Sequence, residues 1–479
     1  MLLAIVQGIA LVPLYLKYIG AAQYGRWLAL GSMVSMLGLI DLGVTSLVVQ
    51  RTAFFHGRAD MKGLGAVIGT SLLFDLIASI CILIGGAAFS FWLPQWIGAA
   101  GEQAKTLQIA FQYATVDVML MLLVSMSGSI LFGIQKPDAH MAGVFVGTTI
   151  SIGLSVFLLL QGWGILAIVL GSLARPVIAL PINIFSIVKN LRHVLDRSIL
   201  KISPAMTTSF FSSALWLGPS KVAEAMTSQV DNIIVVKILQ PIDVTILNLT
   251  RKAGEMAVHV VGRLSASFLS GLAHMKGAGN VAALQSTIAN LFLVSGYAAS
   301  GILCGVLILN EIFVTLWTSS SMYAGTGITL LICIYCLLKI LRITLYNVTF
   351  ANGDVRVTSI SSLVEALIQA ILGAILCRLW GLIGVVVAAI VAVMAGGLIQ
   401  LLALLRTYKF SVTLLRTGIG KLALASSITL VAGYYLRTWS MPQSWMGLIV
   451  LAAGMMVLFF LSALILEPRF RNALINRSV

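Results

Sequence analysis

Apolar segments of about twenty residues follow one another along almost the whole chain, parted by short polar breaks. An α-helix needs roughly 20 mostly apolar residues to cross a bilayer. Of 479 residues, 59% are hydrophobic and only 9% are charged, against about 25% charged in soluble domains. The expected fold class is therefore all-α and polytopic. Fourteen spans can be drawn, at about 1–18, 27–49, 66–92, 106–132, 140–161, 164–188, 208–236, 242–262, 284–316, 325–350, 357–377, 380–405, 417–437 and 443–466. MLLAIVQGIALVPLYL has no basic n-region and no small-residue cleavage site. It is expected to be a short first span, completed by a few upstream residues, rather than a signal peptide.

An even number of spans puts both termini on one side of the membrane. If that side is the cytoplasm, the inner loops and tail hold nineteen Lys and Arg, and the outer loops hold six. The positive-inside bias then predicts cytoplasmic termini. The same bias accounts for the net charge of +15, so nucleic acid is not an expected partner. No soluble domain interrupts the spans. The longest connection, KNLRHVLDRSILKIS over 189–203, is expected on the cytoplasmic side.

The chain repeats itself. ADMKGLG at 59–65 is similar to AHMKGAG at 273–279, and QGWGILAIVLGS at 161–172 to RLWGLIGVVVAA at 378–389. The offsets, 214 and 217, are nearly equal, and the places are topologically equivalent. Spans 1–6 are thus equated with spans 7–12. Six being even, the halves face the same way, a parallel repeat of the kind some transporters build around a midplane site. The predicted organisation is an N-terminal lobe at 1–188, a cytoplasmic linker at 189–205, a C-terminal lobe at 206–405, and a final helix pair with a short tail at 406–479.

Ionisable residues inside spans carry the functional signal, because a charge near the bilayer centre costs roughly 2.5–3.5 kcal/mol on insertion scales. In span 7, Lys221, Glu224, Ser228 and Asp231 are spaced 3, 4, 3, with Gln229 and Asn232 beside them. That spacing places the first four on one helix face. Span 8 carries Asn248, Arg251, Glu255 and His259 on a second stripe, with Lys252 adjacent. Span 10 carries Tyr335, Lys339, Arg342 and Tyr346; Arg342, near the inner end, is also placed to reach the cytoplasmic interface. Asp75 sits between Ser71 and Ser79 in span 3, and Asp117 lies near Tyr113 in span 4. Two readings stand. Lys221 with Glu224, and Arg251 with Glu255, have the spacing of ion pairs that neutralise each other. Alternatively the stripes face a watered cavity and touch cargo or ions. In span 6, Pro176 is expected to kink the helix, and Arg175 is placed to satisfy carbonyls that the kink frees.

No enzyme is suggested. The chain has no P-loop, no GxSxG, no clustered His and carboxylate metal set and no large outer loop to house a polymerase or ligase site. Cys81, Cys304, Cys333, Cys336 and Cys377 all fall in apolar segments. Cys333-x-x-Cys336 has redox or zinc spacing but no second ligand pair, and reads as two buried helix cysteines. No metal and no cofactor are expected.

The run PLYLKYIGAAQYGRWLALGSMVSMLGLIDLG at 13–43 resembles the opening of Wzx-type oligosaccharide flippases, with Pro13, Gly20, Tyr24, Gly25, Trp27, Asp41, Leu42 and Gly43 at the matching positions. Asp231, Ile233, Ile234 and Arg251 are similar to the family's Asp-x-x-Ile-Ile…Arg pattern, although its Leu-Gly before span 8 is Leu239-Gln240 here. The resemblance implies two six-helix lobes around a central cavity, plus a helix pair that holds lipid. It implies a cargo of oligosaccharide on undecaprenyl pyrophosphate, flipped across a bacterial inner membrane by alternating access. Pyrophosphate needs cationic donors, for which Lys221, Arg251 and Lys252 are the candidates, helped by Lys339 and Arg342. Gln229, Asn232, Asn248 and the tyrosines are candidates for sugar. Glu224, Asp231 or Glu255 would bind a coupling H⁺ or Na⁺. Polymerase and chain-length proteins of the same pathway are the expected partners. Within the superfamily, a lipid II flippase and a MATE-like exporter are the alternatives.

Overall fold

The computed structural model describes residues 2–41, 43–192, 202–268, 272, 275, 281–351, 354–407, 412–439 and 444–468. Those residues are almost wholly helical. The helices are α1 (Leu2–Ile19), α2 (Ala21–Leu37), α3 (Val44–Gly57), α4 (Met61–Ser90), α5 (Leu93–Ile97), α6 (Gly101–Gly133), α7 (Pro137–Leu160), α8 (Ile165–Leu191) and α9 (Pro204–Ile238). They continue with α10 (Pro241–Ser267), α11 (Val281–Trp317), α12 (Thr326–Ala351), α13 (Val355–Trp380), α14 (Leu382–Thr407), α15 (Val412–Trp439) and α16 (Trp445–Leu466). Every predicted span has its helix. Among the described residues, eleven segments are long and apolar enough to cross a membrane. The described apolar part of α1, Ala10–Ile19, is shorter, and α9 and α10 stand outside the set; both carry charges along their length. This is a polytopic membrane protein.

One predicted span is not continuous. A single helix was expected over 27–49, but α2 ends at Leu37, a 3-10 turn follows at Gly38–Asp41, and α3 starts at Val44. Gly43 has φ 84°, a conformation that a side chain disfavours. Asp41 Oδ1 then accepts from the Thr45 N–H at 3.1 Å and its Oδ2 from the Thr45 hydroxyl at 2.8 Å. The acid satisfies one of the orphan amides that open every helix. The Asp-Leu-Gly element thus breaks a membrane helix and caps its second half.

The chain forms two compact units, Met1–Val244 and Thr245–Val479. In the first, Leu64, Val67, Met126, Leu131, Ile187 and Phe210 close a core among α4, α6, α8 and α9. In the second, Leu284, Ile288, Leu291, Leu345, Val348 and Leu404 do so among α11, α12 and α14. α15 and α16 pack on α11 through Leu293, Tyr297, Ala425 and Phe459 near one end and Leu309, Leu448 and Met455 near the other. Ion pairs fasten the same helices: Arg437 Nη2 to Glu311 Oε2 at 2.6 Å, and Lys421 Nζ to Glu467 Oε2 at 3.4 Å. The units divide one helix later than the sequence repeat does, because α9 packs against α2, with Asn232 Nδ2 donating to Ser32 Oγ at 2.9 Å.

The second repeat pair has a shared backbone feature. Gly164 (φ 56°, ψ −132°) precedes α8, and Gly381 (φ 60°, ψ −137°) precedes α14. Each follows a tryptophan, Trp163 and Trp380, and each opens a closely packed helix hairpin. Small residues make that packing possible: a Cβ on Gly147 would meet the Arg175 carbonyl at 2.7 Å, and one on Gly384 would meet the Leu376 carbonyl. Of the first repeat pair, 59–65 starts α4, with Asp60 capping by accepting from the Gly63 N–H at 2.9 Å. Its counterpart, 273–279, lies outside the described residues except for Met275, as does 193–201 of the predicted linker.

Candidate functional site

Both pairs foreseen from spacing are formed. On α9, Lys221 Nζ lies 3.0 Å from Glu224 Oε2, and both side chains are exposed. Further along α9, Asp231 and the adjacent Asn232 are buried, while Gln229 is half-buried. Asn232 is committed to its bond with Ser32, so its amide donor holds α9 to α2 rather than standing open to sugar.

On α10, Arg251 Nε pairs with Glu255 Oε1 at 2.8 Å. Arg251 Nη2 also donates to Asn248 Oδ1 at 3.5 Å. Lys252, the next residue, is half-buried and makes no ion pair among the described residues. The middle of α10 therefore sets two cations against one carboxylate. His259 is exposed. Nearby, Asn310 of α11 donates to the Thr250 carbonyl at 2.8 Å and to Thr329 Oγ1 at 3.3 Å, tying α10, α11 and α12 together.

The span 10 pair has a different position from the one expected. Arg342 does not reach an interface: it is buried, with 5% of its side chain exposed. Its Nε pairs with Glu365 Oε2 at 3.1 Å, its Nη1 donates to Gln400 Oε1 at 2.7 Å, and its Nη2 donates to Ser361 Oγ at 3.0 Å. Lys339 Nζ takes the other oxygen of Glu365 at 2.7 Å. Glu365 is on α13 and Gln400 on α14, so the two cations clasp three helices of the second unit. The physical reason is elementary: a guanidinium in an apolar bundle must fill its donors from facing helices. Glu365 falls inside the predicted span at 357–377, but spacing along one helix cannot give it this partner. Gln400, in an otherwise apolar run, was the available signal for a buried acceptor.

In the first unit the motif residues gather around a cavity of their own. Tyr15 and Tyr24 stack with centroids 5.8 Å apart and planes inclined by 29°. With Trp27, Ser151, Ser155 and Arg175 they line a cavity of about 320 Å³. Gly20, φ 80°, makes the α1–α2 turn that brings the two tyrosines together. Pro13 lies within α1 and Gly25 is buried on α2. α8 continues past Pro176, and Arg175 is not spent on freed carbonyls: it points into this cavity, and its Nε is buried without a hydrogen-bond partner among the described residues. Asp117 of α6 lies in electrostatic range of Arg175 and beside Ser172, and its Oδ1 is also buried without a partner. Asp75 is buried between Ser71 and Ser79, its Oδ1 likewise unpartnered.

All five cysteines are free thiols; Cys304, Cys333, Cys336 and Cys377 are buried and Cys81 is exposed. The Cys333 thiol faces the Leu303 carbonyl at 3.7 Å, a packing role on α12.

No protein-family profile matches the chain, and no curated protein matches it in sequence. Solved structures do. The inward-closed lipid II flippase MurJ superposes with a TM-score of 0.73 at 16% identity, covering 98% of either chain. An inward-facing multidrug resistance MATE family transporter of the MOP superfamily superposes at 0.69 and 14% identity, over 84% of this chain and 94% of that one. An outward-facing MATE transporter superposes at 0.59 and 18% identity, over 84% and 90%. The fold is thus that of the MOP-superfamily transporters, in a form as long as MurJ.

Proposed function

We propose that this protein is a flippase, not an enzyme. It moves oligosaccharide repeat units on undecaprenyl pyrophosphate from the inner to the outer face of a bacterial inner membrane, for O-antigen, capsule or exopolysaccharide synthesis. Alternating access by two lobes is the mechanism, with both termini cytoplasmic. The observation that carries this reading is the charge of mid-α10: Arg251 pairs with Glu255, and the adjacent Lys252 makes no ion pair among the described residues. A cation kept in a membrane helix without a neutralising partner is there for something anionic. Phosphate is recognised by charge-assisted hydrogen bonds, and arginine offers them as a planar fork. Lys221 on α9 is given the same role. Lys339 and Arg342 are assigned to holding α12, α13 and α14 together. Glu224, Asp231 or Glu255 takes the coupling H⁺ or Na⁺, and the pathway's polymerase and chain-length proteins are the partners.

A lipid II flippase is the second reading, favoured by the full-length likeness to MurJ. A MATE-like exporter is less favoured, because the likeness to those transporters leaves out 16% of the chain (84% covered). The test is transport in proteoliposomes. Fluorescent undecaprenyl-pyrophosphate-linked oligosaccharide should become accessible on the opposite leaflet only in vesicles that contain the protein. Transport of lipid II alone selects the second reading. Movement of neither lipid rejects the flippase.

A further inference from the structure

The polar cavity of the first unit has no role in the phosphate reading. Its walls say what it takes. Tyr15 and Tyr24 form a stacked aromatic wall, and Trp27 adds a third ring. Ser151 and Ser155 of α7 and Ser172 and Arg175 of α8 complete the polar part of the lining.

The lining does not suit a simple cation, since it includes no carboxylate. Arg175 is the cationic residue in the lining, and Asp117 of α6 lies within electrostatic range of it. Yet the two do not form a direct ion pair among the described residues. Each keeps one buried polar atom without a partner, Arg175 Nε and Asp117 Oδ1. The unpartnered Arg175 Nε and the serine hydroxyls of the lining call for a group that both accepts and donates, which is what a hydroxyl does. Aromatic faces with a few convergent polar groups are the usual make-up of a small-molecule site, and a volume of about 320 Å³ is at the small end of the usual range of roughly 300–1,000 Å³. It suits one ring rather than a chain of rings.

We propose that this cavity is a binding site for a single neutral sugar ring, with the ring's face on the aromatic wall and its hydroxyls on Arg175, Ser151 and Ser155. The site is held by the hairpin of α7 and α8, where Gly147 lets the Arg175 backbone approach closely and Gly171 does the same for Ser155. As a subsite for cargo the proposal rests on the glycan reading above; as a sugar-binding cavity it stands on its own geometry.

Saturation-transfer NMR on the full chain in nanodiscs tests it, with the methyl glycosides of glucose, galactose, mannose and N-acetylglucosamine as probes. At least one should receive saturation, strongest at the protons of one ring face. Ser155→Trp, which fills the cavity, and Arg175→Gln, which removes the charged donor, should each cut the signal at least fivefold. Thermal unfolding checks that both variants are folded; if one is not, Ser151→Leu replaces it. Absence of signal from all four probes overturns the proposal, and so does a signal that Ser155→Trp leaves intact. The two readings fail separately. A sugar signal lost in the variants, together with no lipid-linked transport, rejects the flippase and keeps the site. Transport of undecaprenyl-pyrophosphate oligosaccharide with no sugar signal does the reverse.

Discussion

Arg342 and Glu365 meet at 3.1 Å with only 5% of either side chain exposed, and Lys339 holds the other carboxylate oxygen at 2.7 Å. Glu365 is therefore the common counter-ion of two cations inside a membrane bundle. Removing one partner of a buried pair typically costs about 3–5 kcal/mol, because the other charge is stranded. Glu365→Ala is expected to lower the unfolding temperature in detergent more than Arg342→Ala does, since it strands two cations rather than one. Equal or negligible shifts would show that the clasp is not structural.

Arg251→Ala and Lys221→Ala are each expected to abolish surface glycan export while the protein still inserts. The Lys221–Glu224 pair is more than half exposed on both sides, and exposed pairs contribute only about 0–1 kcal/mol. A loss of export in Lys221→Ala is thus a loss of function rather than of folding, and membrane abundance by immunoblot checks the distinction. Full export by the double variant would refute the cationic site.

Asp41→Ala is expected to loosen the start of α3, at a cost of about 0.5–2 kcal/mol for a lost helix cap. Asp41→Asn keeps an oxygen for the Thr45 amide and should lose less. Hydrogen exchange over 43–50, read by mass spectrometry, should rise in the alanine variant and stay near wild type in the asparagine one. Equal protection in both would remove the cap from the account.

Gly164→Ala and Gly381→Ala are expected to destabilise the protein by similar amounts, about 1–3 kcal/mol each for a side chain forced into this backbone region. Neither site is crowded, as nothing lies within 4 Å of a Cβ placed there. The effect is therefore one of backbone conformation alone. Gly153→Ala, also uncrowded but without the unusual φ, is the matched control and should be neutral.

How much was legible in the sequence can be argued residue by residue. The helices of the fourteen spans were, apart from the break between α2 and α3, since apolar length reads directly as span length. So were the pairs Lys221–Glu224 and Arg251–Glu255, because i,i+3 and i,i+4 partners lie on one helix and need no tertiary knowledge. The break at Asp41–Gly43 was visible as a motif but not as a bend, since hydropathy runs on through it.

The sequence by itself determined what is local or periodic: an all-helical membrane chain, a repeat at about 215 residues, and charged stripes on spans 7, 8 and 10. Only the tertiary structure decided which charges are occupied. Arg342 looked like an interfacial arginine until α13 and α14 supplied Glu365 and Gln400. Arg175 looked like a companion to Pro176 until α1, α2 and α7 closed a cavity around it. The reason is the same for both: a long side chain in lipid takes its partner from whichever helix packs opposite, and no spacing along its own helix records which one that is.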